Sequence, residues 1–107
     1  MMENHGRKDD QGKVRFDLIP PDAMYYIAEV FTRGADKYGD RNWERGMTWG
    51  RLFSASMRHT WEWWRGREND PETGISHLYH AAASLMMLAV LRQRNVGQDN
   101  RELSKNE

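Results

Sequence analysis

Residues 58–80 read RHTWEWWRGRENDPETGISHLYH, and this stretch decides the fold. Helix-type apolar periodicity continues on both sides of it, while Pro71 and Gly74 interrupt the periodicity in the middle. A helix, a tight polar turn and a second helix folded back on the first are therefore expected. Such a hairpin brings residues that are distant in sequence side by side.

The helix before the turn is predicted to begin after an N-cap at Thr48 and to end at Gly66. Its apolar positions form two adjacent rows. The row interpreted as the core stripe contains Trp49, Phe53, Met57, Thr60 and Trp64, and the second row contains Leu52, Ser56, His59 and Trp63.

The helix after the turn is predicted to start at a cap formed by Ser76 or Thr73 and to reach about Arg94. It is apolar on nearly all sides between Leu78 and Leu91, which in a soluble protein indicates burial on more than one face. This helix is expected to be the centre of the bundle and a subunit interface.

An earlier amphipathic helix is predicted to run from Pro21 to about Lys37. Its expected core positions recur at helical spacing: Met24, Ile27, Ala28, Phe31 and Ala35. Before it, Val14, Phe16 and Leu18 alternate with charged residues, which favours an extended segment packed on one side.

These elements predict an all-α fold, a small bundle of three main helices with an extended N-terminal segment, completed by oligomerisation. The domain is assigned to residues 13–95. Residues 1–12 are interpreted as a flexible arm and residues 96–107 as a flexible tail, because both are polar.

Composition restricts the functional classes. The chain of 107 residues has 16 basic and 16 acidic residues, so no overall positive field favours a nucleic acid polymer. It has no cysteine, no long apolar run and no apolar signal-peptide core, which favours a cytoplasmic protein without a membrane partner.

Chemistry enters through spacing. His59 and Glu62 are three apart before the turn, and His77 and His80 are three apart after it, so each pair shares a helix face. In an antiparallel hairpin, residue numbers that sum to about 141 lie at similar heights, which puts Glu62 near His80. The turn carboxylates, Asp70 and Glu72, would lie at the open end of this cluster.

Two readings of this cluster are open on the residues alone. Histidines on amphipathic helices are commonly hydrogen-bonded boundary residues, and the acidic turn commonly carries a solvated cap at Asp70. The paired spacing on neighbouring helices instead favours a joint functional cluster.

The residues also carry a resemblance. GKVRFDLIPP, GADKYGDRNWERG, RH and GRENDPETGISHLYHA follow one another in an order that resembles the phage dATP/dGTP diphosphohydrolase family, itself similar to the all-α MazG-like pyrophosphohydrolases. The resemblance covers about residues 12–92. It implies a helical, homo-oligomeric enzyme that uses Mg²⁺ or Mn²⁺ to cleave a purine deoxynucleoside triphosphate into monophosphate and pyrophosphate.

Roles for individual residues follow from that resemblance together with their charge and shape. The expected catalytic residues are Glu62, Asp70 and His77. The expected metal ligands are His59, Glu62, Asp70, Glu72 and His80. The expected substrate-binding residues are Lys13, Arg15, Lys37, Asn42, Trp43 and Arg58.

The chain departs from the family pattern in two respects. Imidazoles stand where MazG-like enzymes use carboxylates. This favours Mn²⁺ or another borderline metal over Mg²⁺, or else it means that the histidines bind phosphate or support the metal ligands without contacting the metal. Arg67 also follows Gly66 at the position where the family pattern usually has Glu, with Glu68 one place later.

Three functional hypotheses follow. The first is a metal-dependent nucleoside triphosphate pyrophosphohydrolase acting in the cytoplasm, which for a phage protein is that of the infected host cell. The second is a non-catalytic protein on the same fold that binds or sequesters a phosphorylated purine. The third is a structural helical module without a ligand. A His-Asp phosphohydrolase is disfavoured, because the chain contains no His-Asp dipeptide.

Overall fold

The computed structural model describes residues 6–103 of the protein and consists of three α-helices. They are α1 (Pro21–Tyr38), α2 (Trp49–Trp64) and α3 (His77–Arg94). Two 3-10 turns precede α1 and α2, at Phe16–Leu18 and Asn42–Arg45. Between residues 6 and 103 no strand forms, and the only β-type pairs are two isolated bridges. The predicted all-α fold of three main helices is confirmed.

Helix α3 lies at the centre, as its apolar surface predicts, and packs against both other helices. One buried cluster joins Val30 of α1 with Ile75 and Ala83. The other joins Trp49 and Leu52 of α2 with Leu91 of α3. The small side chains at Ala81 and Ala83 are 5% and 1% exposed, so α3 is narrow where its neighbours approach most closely.

Helix α2 turns a different face inward from the one predicted. The second row supplies the buried Leu52 and Ser56, whereas Phe53, Met57 and Trp64 of the expected core stripe are exposed. Of that stripe only Trp49 is buried, so the stripe prediction was wrong for the single chain. The two rows are rotated by about 100° from each other, and the small Ser56, only 3% exposed, lies on the face that packs against α3.

The predicted stripe of α1 is correct in part. Ile27, Phe31 and Ala35 are half-buried, but Met24 and Ala28 are exposed. The fully buried side chain is Val30, which the predicted stripe omitted. The face of α1 that contacts α3 is therefore rotated slightly toward Val30.

The segment before α1 does not pack as predicted. Phe16–Leu18 form a 3-10 turn, and Val14, Phe16 and Leu18 are 78%, 77% and 67% exposed. The expectation of an extended segment packed on one side was wrong for this chain alone. A 3-10 turn repeats every three residues, so it abolishes the two-residue alternation on which that expectation depended.

The helix starts are capped in two different ways. Ser76 caps α3 locally, because its hydroxyl oxygen accepts a hydrogen bond from the Leu78 N–H at 3.1 Å. Thr48 occupies the cap position of α2, but no side-chain cap bond forms there. The Trp49 N–H instead donates to the Gln98 carbonyl at 2.9 Å, and the Gly50 N–H donates to Oδ1 of Asn100 at 2.8 Å. The predicted N-cap position of Thr48 is confirmed, but the C-terminal segment rather than the Thr48 side chain supplies the acceptors.

This C-terminal segment contacts the start of α2 over several residues. The indole N–H of Trp49 donates to the Val96 carbonyl at 2.8 Å, and Gln98 forms a bridge with Thr48. The division at residues 12 and 96 stays a prediction, but residues 96–100 contact the helical domain. The parts of the predicted arm and tail at residues 1–5 and 104–107 lie outside the described residues.

None of the described helices combines the length and the apolar character that crossing a membrane requires.

Candidate metal and nucleotide site

The turn between α2 and α3 fixes the carboxylate of Asp70. Its Oδ2 accepts hydrogen bonds from the Glu72 N–H at 3.1 Å, the Thr73 N–H at 3.0 Å and the Thr73 hydroxyl at 3.1 Å. Backbone bonds close the same turn, since the Asp70 N–H donates to the Ile75 carbonyl at 2.8 Å. All three bonds to the carboxylate end on Oδ2, which leaves Oδ1 for another partner.

Two histidines face each other beside this turn. Nδ1 of His59 on α2 lies 2.9 Å from Nδ1 of His77, the first residue of α3. A contact this short needs one proton between the two nitrogens, so one ring donates and the other accepts. His77 is only 4% exposed, so the contact belongs to the interior edge of the hairpin.

The third histidine covers the pair. The ring of His80 stacks on that of His59 with centroids 4.7 Å apart and planes 16° apart. Its Nε2 lies 2.7 Å from the Thr73 hydroxyl and 4.0 Å from Oδ2 of Asp70. The turn and both helices therefore meet at one cluster, which we call the histidine site: His59, Asp70, Thr73, His77 and His80.

Three residues of the histidine site have the geometry of metal ligands. His59, Asp70 and His77 each place one ligand atom within 4.8 Å of the others. Two nitrogens bound to one ion at about 2.1 Å and about 90° lie about 3.0 Å apart, close to the observed 2.9 Å between the two Nδ1 atoms. The residues therefore fit a small divalent ion, which would replace the proton shared by the rings.

Electrostatics favours the protonation states that a metal requires. Burial lowers the pKa of His59, and its two neighbouring histidines lower it further. Burial also lowers the pKa of His80, against the opposing effect of Asp70. Burial raises the pKa of Asp70, but the hydrogen bonds from Thr73 outweigh it and leave that pKa below its usual value. Near neutral pH these shifts favour neutral imidazoles at His59 and His80 and an ionised carboxylate at Asp70.

Two predicted carboxylates do not join the histidine site. Glu62 instead accepts hydrogen bonds from Arg67 at 2.8 Å and from Arg65 at 3.3 Å. Glu72 accepts one from Nζ of Lys37 at 3.2 Å, at an exposed position. Helical rise gives only the height of each residue along the hairpin. It does not give the direction in which a side chain such as Glu62 points around the helix, or the way in which residues 65–67 fold back.

The predicted substrate-binding residues are dispersed. Lys37 reaches the turn through Glu72, so it is the cation that α1 brings to the rim of the histidine site. Arg58 precedes His59 but donates to the Ser54 hydroxyl at 2.9 Å. Arg15 pairs with Asp17 at 2.7 Å in the exposed N-terminal segment, which also contains Lys13.

The two predicted base-reading residues lie in the 3-10 turn before α2. Trp43 packs edge-on against Phe31 with ring centroids 5.9 Å apart, as an anchor of this turn in the core. Asn42 is half-buried, and its N–H donates to the Gly39 carbonyl at 3.2 Å. These contacts hold the turn against the end of α1.

Thr73 belongs to the histidine site, although the sequence predicted only a helix cap for it and no role in the site. The signal was present, because a threonine three residues after an aspartate in a turn commonly hydrogen-bonds that carboxylate. That the same hydroxyl also meets His80 depends on the three-dimensional turn.

Comparisons with known proteins place all of these residues in one matched region. A family model described as "dATP/dGTP diphosphohydrolase, N-terminal" matches residues 3–101. The chain is also 38% identical over 99 residues to a protein of Salmonella phage PMBT28 named dATP/dGTP diphosphohydrolase. The match covers 92% of this chain and 34% of that protein, so the chain spans about a third of the length of its curated relative. No solved structure matches.

Proposed function

Since the chain belongs to the family defined by the N-terminal region of dATP/dGTP diphosphohydrolases, we propose that it is a metal-dependent hydrolase of purine deoxynucleoside triphosphates. The products are the nucleoside monophosphate and pyrophosphate. The observation that carries the proposal is the approach of His59 and His77 to 2.9 Å beside the carboxylate of Asp70.

The ligand atoms of the site favour Mn²⁺ over Mg²⁺. Two imidazole nitrogens and one carboxylate oxygen suit Mn²⁺ better than Mg²⁺, which prefers oxygen ligands throughout. A bound divalent ion would screen the phosphate charges and lower the pKa of a water molecule. The protein's own residues hold the ligand atoms together: the Thr73 bonds fix Asp70, and burial keeps His59 neutral.

The triphosphate needs further cationic partners, and Lys37 is the best placed of the predicted ones. Its ammonium group binds Glu72, whose N–H in turn binds the Asp70 carboxylate. The Lys37–Glu72 pair is exposed, so exchanging the carboxylate for a phosphate oxygen costs little. We therefore assign Lys37 to a phosphate at the rim of the histidine site.

A product analysis tests the activity. The purified protein is incubated with each of the four deoxynucleoside triphosphates and Mn²⁺ or Mg²⁺, and the products are separated. We expect dAMP or dGMP with pyrophosphate. Release of intact triphosphate and a nucleoside would contradict the reaction proposed here.

A residue pair tests the site. Asp70→Asn should reduce turnover at least about a hundredfold while the helical content is retained, because the amide is a poor metal ligand. Asp36→Asn removes an exposed carboxylate from α1 and should leave turnover unchanged. Equal turnover in both variants would move the reaction away from the histidine site.

A second candidate function is sequestration of a purine nucleotide without turnover. It is favoured by Glu62, because the bonds from Arg65 and Arg67 tie up a carboxylate that the resemblance assigns to catalysis. Tight binding of dATP or dGTP without any product would support sequestration and exclude hydrolysis.

We also propose that the protein works as a homo-oligomer in the cytoplasm of an infected cell. An apolar surface on α2 and α3 supports assembly: Phe53, Met57, Trp61, Trp64, Leu85 and Met86 are each 45–71% exposed. With about 150–250 Å² for a large aromatic side chain, this surface amounts to roughly 700 Å², near the roughly 800 Å² that a stable dimer buries per partner.

Light scattering after size-exclusion chromatography tests the assembly. Phe53→Glu should lower the measured mass, because a carboxylate in an apolar interface is poorly solvated. Arg51→Glu makes a larger charge change at an exposed polar position of the same helix and should leave the measured mass unchanged. A monomeric mass for the unsubstituted protein would contradict the proposal.

A further inference from the structure

The hydroxyl of Thr73 has three polar neighbours. Oδ2 of Asp70 lies 3.1 Å away, the Ile75 N–H donates to it at 3.2 Å, and Nε2 of His80 lies 2.7 Å away. A hydroxyl has one proton to donate and two lone pairs to accept with. Three neighbours therefore use its full hydrogen-bonding capacity.

The chemistry of these neighbours decides the direction of each bond. An ionised carboxylate can only accept, and a backbone N–H can only donate. If the hydroxyl proton pointed to His80, the oxygens of Thr73 and Asp70 would face each other at 3.1 Å without a proton between them. The hydroxyl therefore donates to Asp70 and accepts from Nε2–H of His80.

Nε2 of His80 therefore carries the proton of this hydrogen bond. A neutral imidazole with a proton on Nε2 has its lone pair on Nδ1. Nε2 of His80 is then unavailable to a metal ion. The ring instead lies flat against His59, 4.7 Å between centroids.

We propose that Thr73 is a positioning residue that accepts the Nε2–H of His80 and, through its own bond to Oδ2, orients Asp70 beside the proposed metal ligands His59 and His77. It acts through a short relay in which His80 donates to Thr73 and Thr73 donates to Asp70. His80 serves in this relay as a support for His59 rather than as a metal ligand. The part of the inference that concerns metal binding rests on the proposed metal site.

Imidazole NMR of the metal-free protein at pH 7.5 tests the His80 part directly. We expect His80 to be protonated at Nε2, with a proton that exchanges slowly with water because it is hydrogen-bonded. His80→Gln identifies the signal by removing it. A His80 ring without a proton on Nε2 in the unsubstituted protein would overturn the inference without any Thr73 variant.

Two substitutions at Thr73 and one control test the positioning role. Thr73→Val removes the hydroxyl at similar volume, and we expect fast exchange at Nε2 and Mn²⁺ affinity lowered about tenfold to a hundredfold. Thr73→Ser keeps the hydroxyl and should restore both properties. Thr32→Val removes a hydroxyl that binds the Ala28 carbonyl on α1, and should change neither.

These outcomes are separable from those of the enzymatic proposal. Unchanged exchange at Nε2 and unchanged Mn²⁺ affinity in Thr73→Val overturn the inference. If Thr73→Val does not fold, the NMR of the unsubstituted protein decides. If the unsubstituted protein binds no Mn²⁺, the proposed metal site fails and with it the orienting role of Asp70. Absence of hydrolysis with Mn²⁺ binding retained rejects only the proposed reaction.

Discussion

His59 and His77 meet through the same ring atom, with their Nδ1 nitrogens 2.9 Å apart across the α2–α3 hairpin. Two neutral imidazoles at this distance share one proton, and both must present a lone pair to bind a metal ion. Metal binding therefore requires one ring to move its proton from Nδ1 to Nε2.

This contact predicts which of the three histidines contribute most to Mn²⁺ affinity. His59→Gln and His77→Gln should each lower Mn²⁺ affinity at least about tenfold, because even indirect partners of a metal commonly contribute that much. His80→Gln should lower it less, because Nε2 of His80 contacts Thr73. Calorimetric titration with Mn²⁺ measures all three, and the largest loss in His80→Gln would contradict the assignment.

The pKa shifts predict how stability depends on pH in the metal-free protein. The pKa values of His59 and His80 lie below their usual 6.5, mainly because of burial. The unfolded chain then takes up protons first as pH falls, so the stability that these groups contribute is present above about pH 6.5. It is lost as pH falls through the folded values.

Thermal unfolding in a chelator, measured from pH 7.5 to 5.5, checks this. The melting temperature should fall toward pH 5.5, and the double variant His59→Gln, His80→Gln should show a shallower fall. A melting temperature that rises over this range would contradict the sign. The contribution of Asp70, whose pKa is also lowered, is lost only below its usual 3.8.

Substitution of Arg67 is expected to raise the affinity for Mn²⁺ rather than lower it. Its guanidinium binds both carboxylate oxygens of Glu62, at 3.3 and 2.8 Å. Arg67→Gln removes both bonds from Arg67 to this carboxylate, leaves the one from Arg65, and removes a positive charge near the proposed cation site, so Mn²⁺ affinity should rise about two- to tenfold. Arg65→Gln, which removes only one bond of 3.3 Å, should raise it less. Lower affinity in Arg67→Gln would mean that the pair supports the site.

Replacement of Gly97 by alanine is expected to lower the free energy of unfolding strongly, although it adds only one methyl group. Its φ is +97°, and a Cβ there would clash with the Met47 carbonyl oxygen and lie 3.0 Å from Nε1 of Trp49. Gly97→Ala should therefore cost about 2 kcal/mol or more in unfolding free energy. Gly66 has a similar φ of +93° but nothing within 4 Å, so Gly66→Ala should cost about 1 kcal/mol. Urea denaturation compares the two, and equal costs would mean that the close approach at Gly97 is unimportant.

Local patterns in the sequence were sufficient for the helices and the hairpin. The turn signals at Pro71 and Gly74 and the cap at Ser76 act within a few residues. Counting along the two helices put Glu62 near His80 and made one cluster with His59 and His77 reachable, and the three histidines do meet. The metal and catalytic roles of these residues stay predictions.

Long-range contacts account for the parts that differed. Thr48 has the right residue type for a cap, but acceptors from Gln98 and Asn100 replace it. Counting along the hairpin gives Glu62 a suitable height for the cluster, but its carboxylate accepts a hydrogen bond from Arg67 instead of joining the histidines. Which row of α2 faces inward depends on how closely Ser56 can approach α3, and neither row is distinguished by periodicity alone.

The contacts of the C-terminal segment with the start of α2 also impose an order on folding during synthesis. A chain is made from its N-terminus, so the first turn of α2 leaves the ribosome well before Gln98 and Asn100, which accept its N–H groups. The local α2–α3 turn that holds Asp70 has no such delay. The half of the hairpin beside the histidine site can therefore form early, whereas the first turn of α2 is completed only when Gln98 and Asn100 arrive.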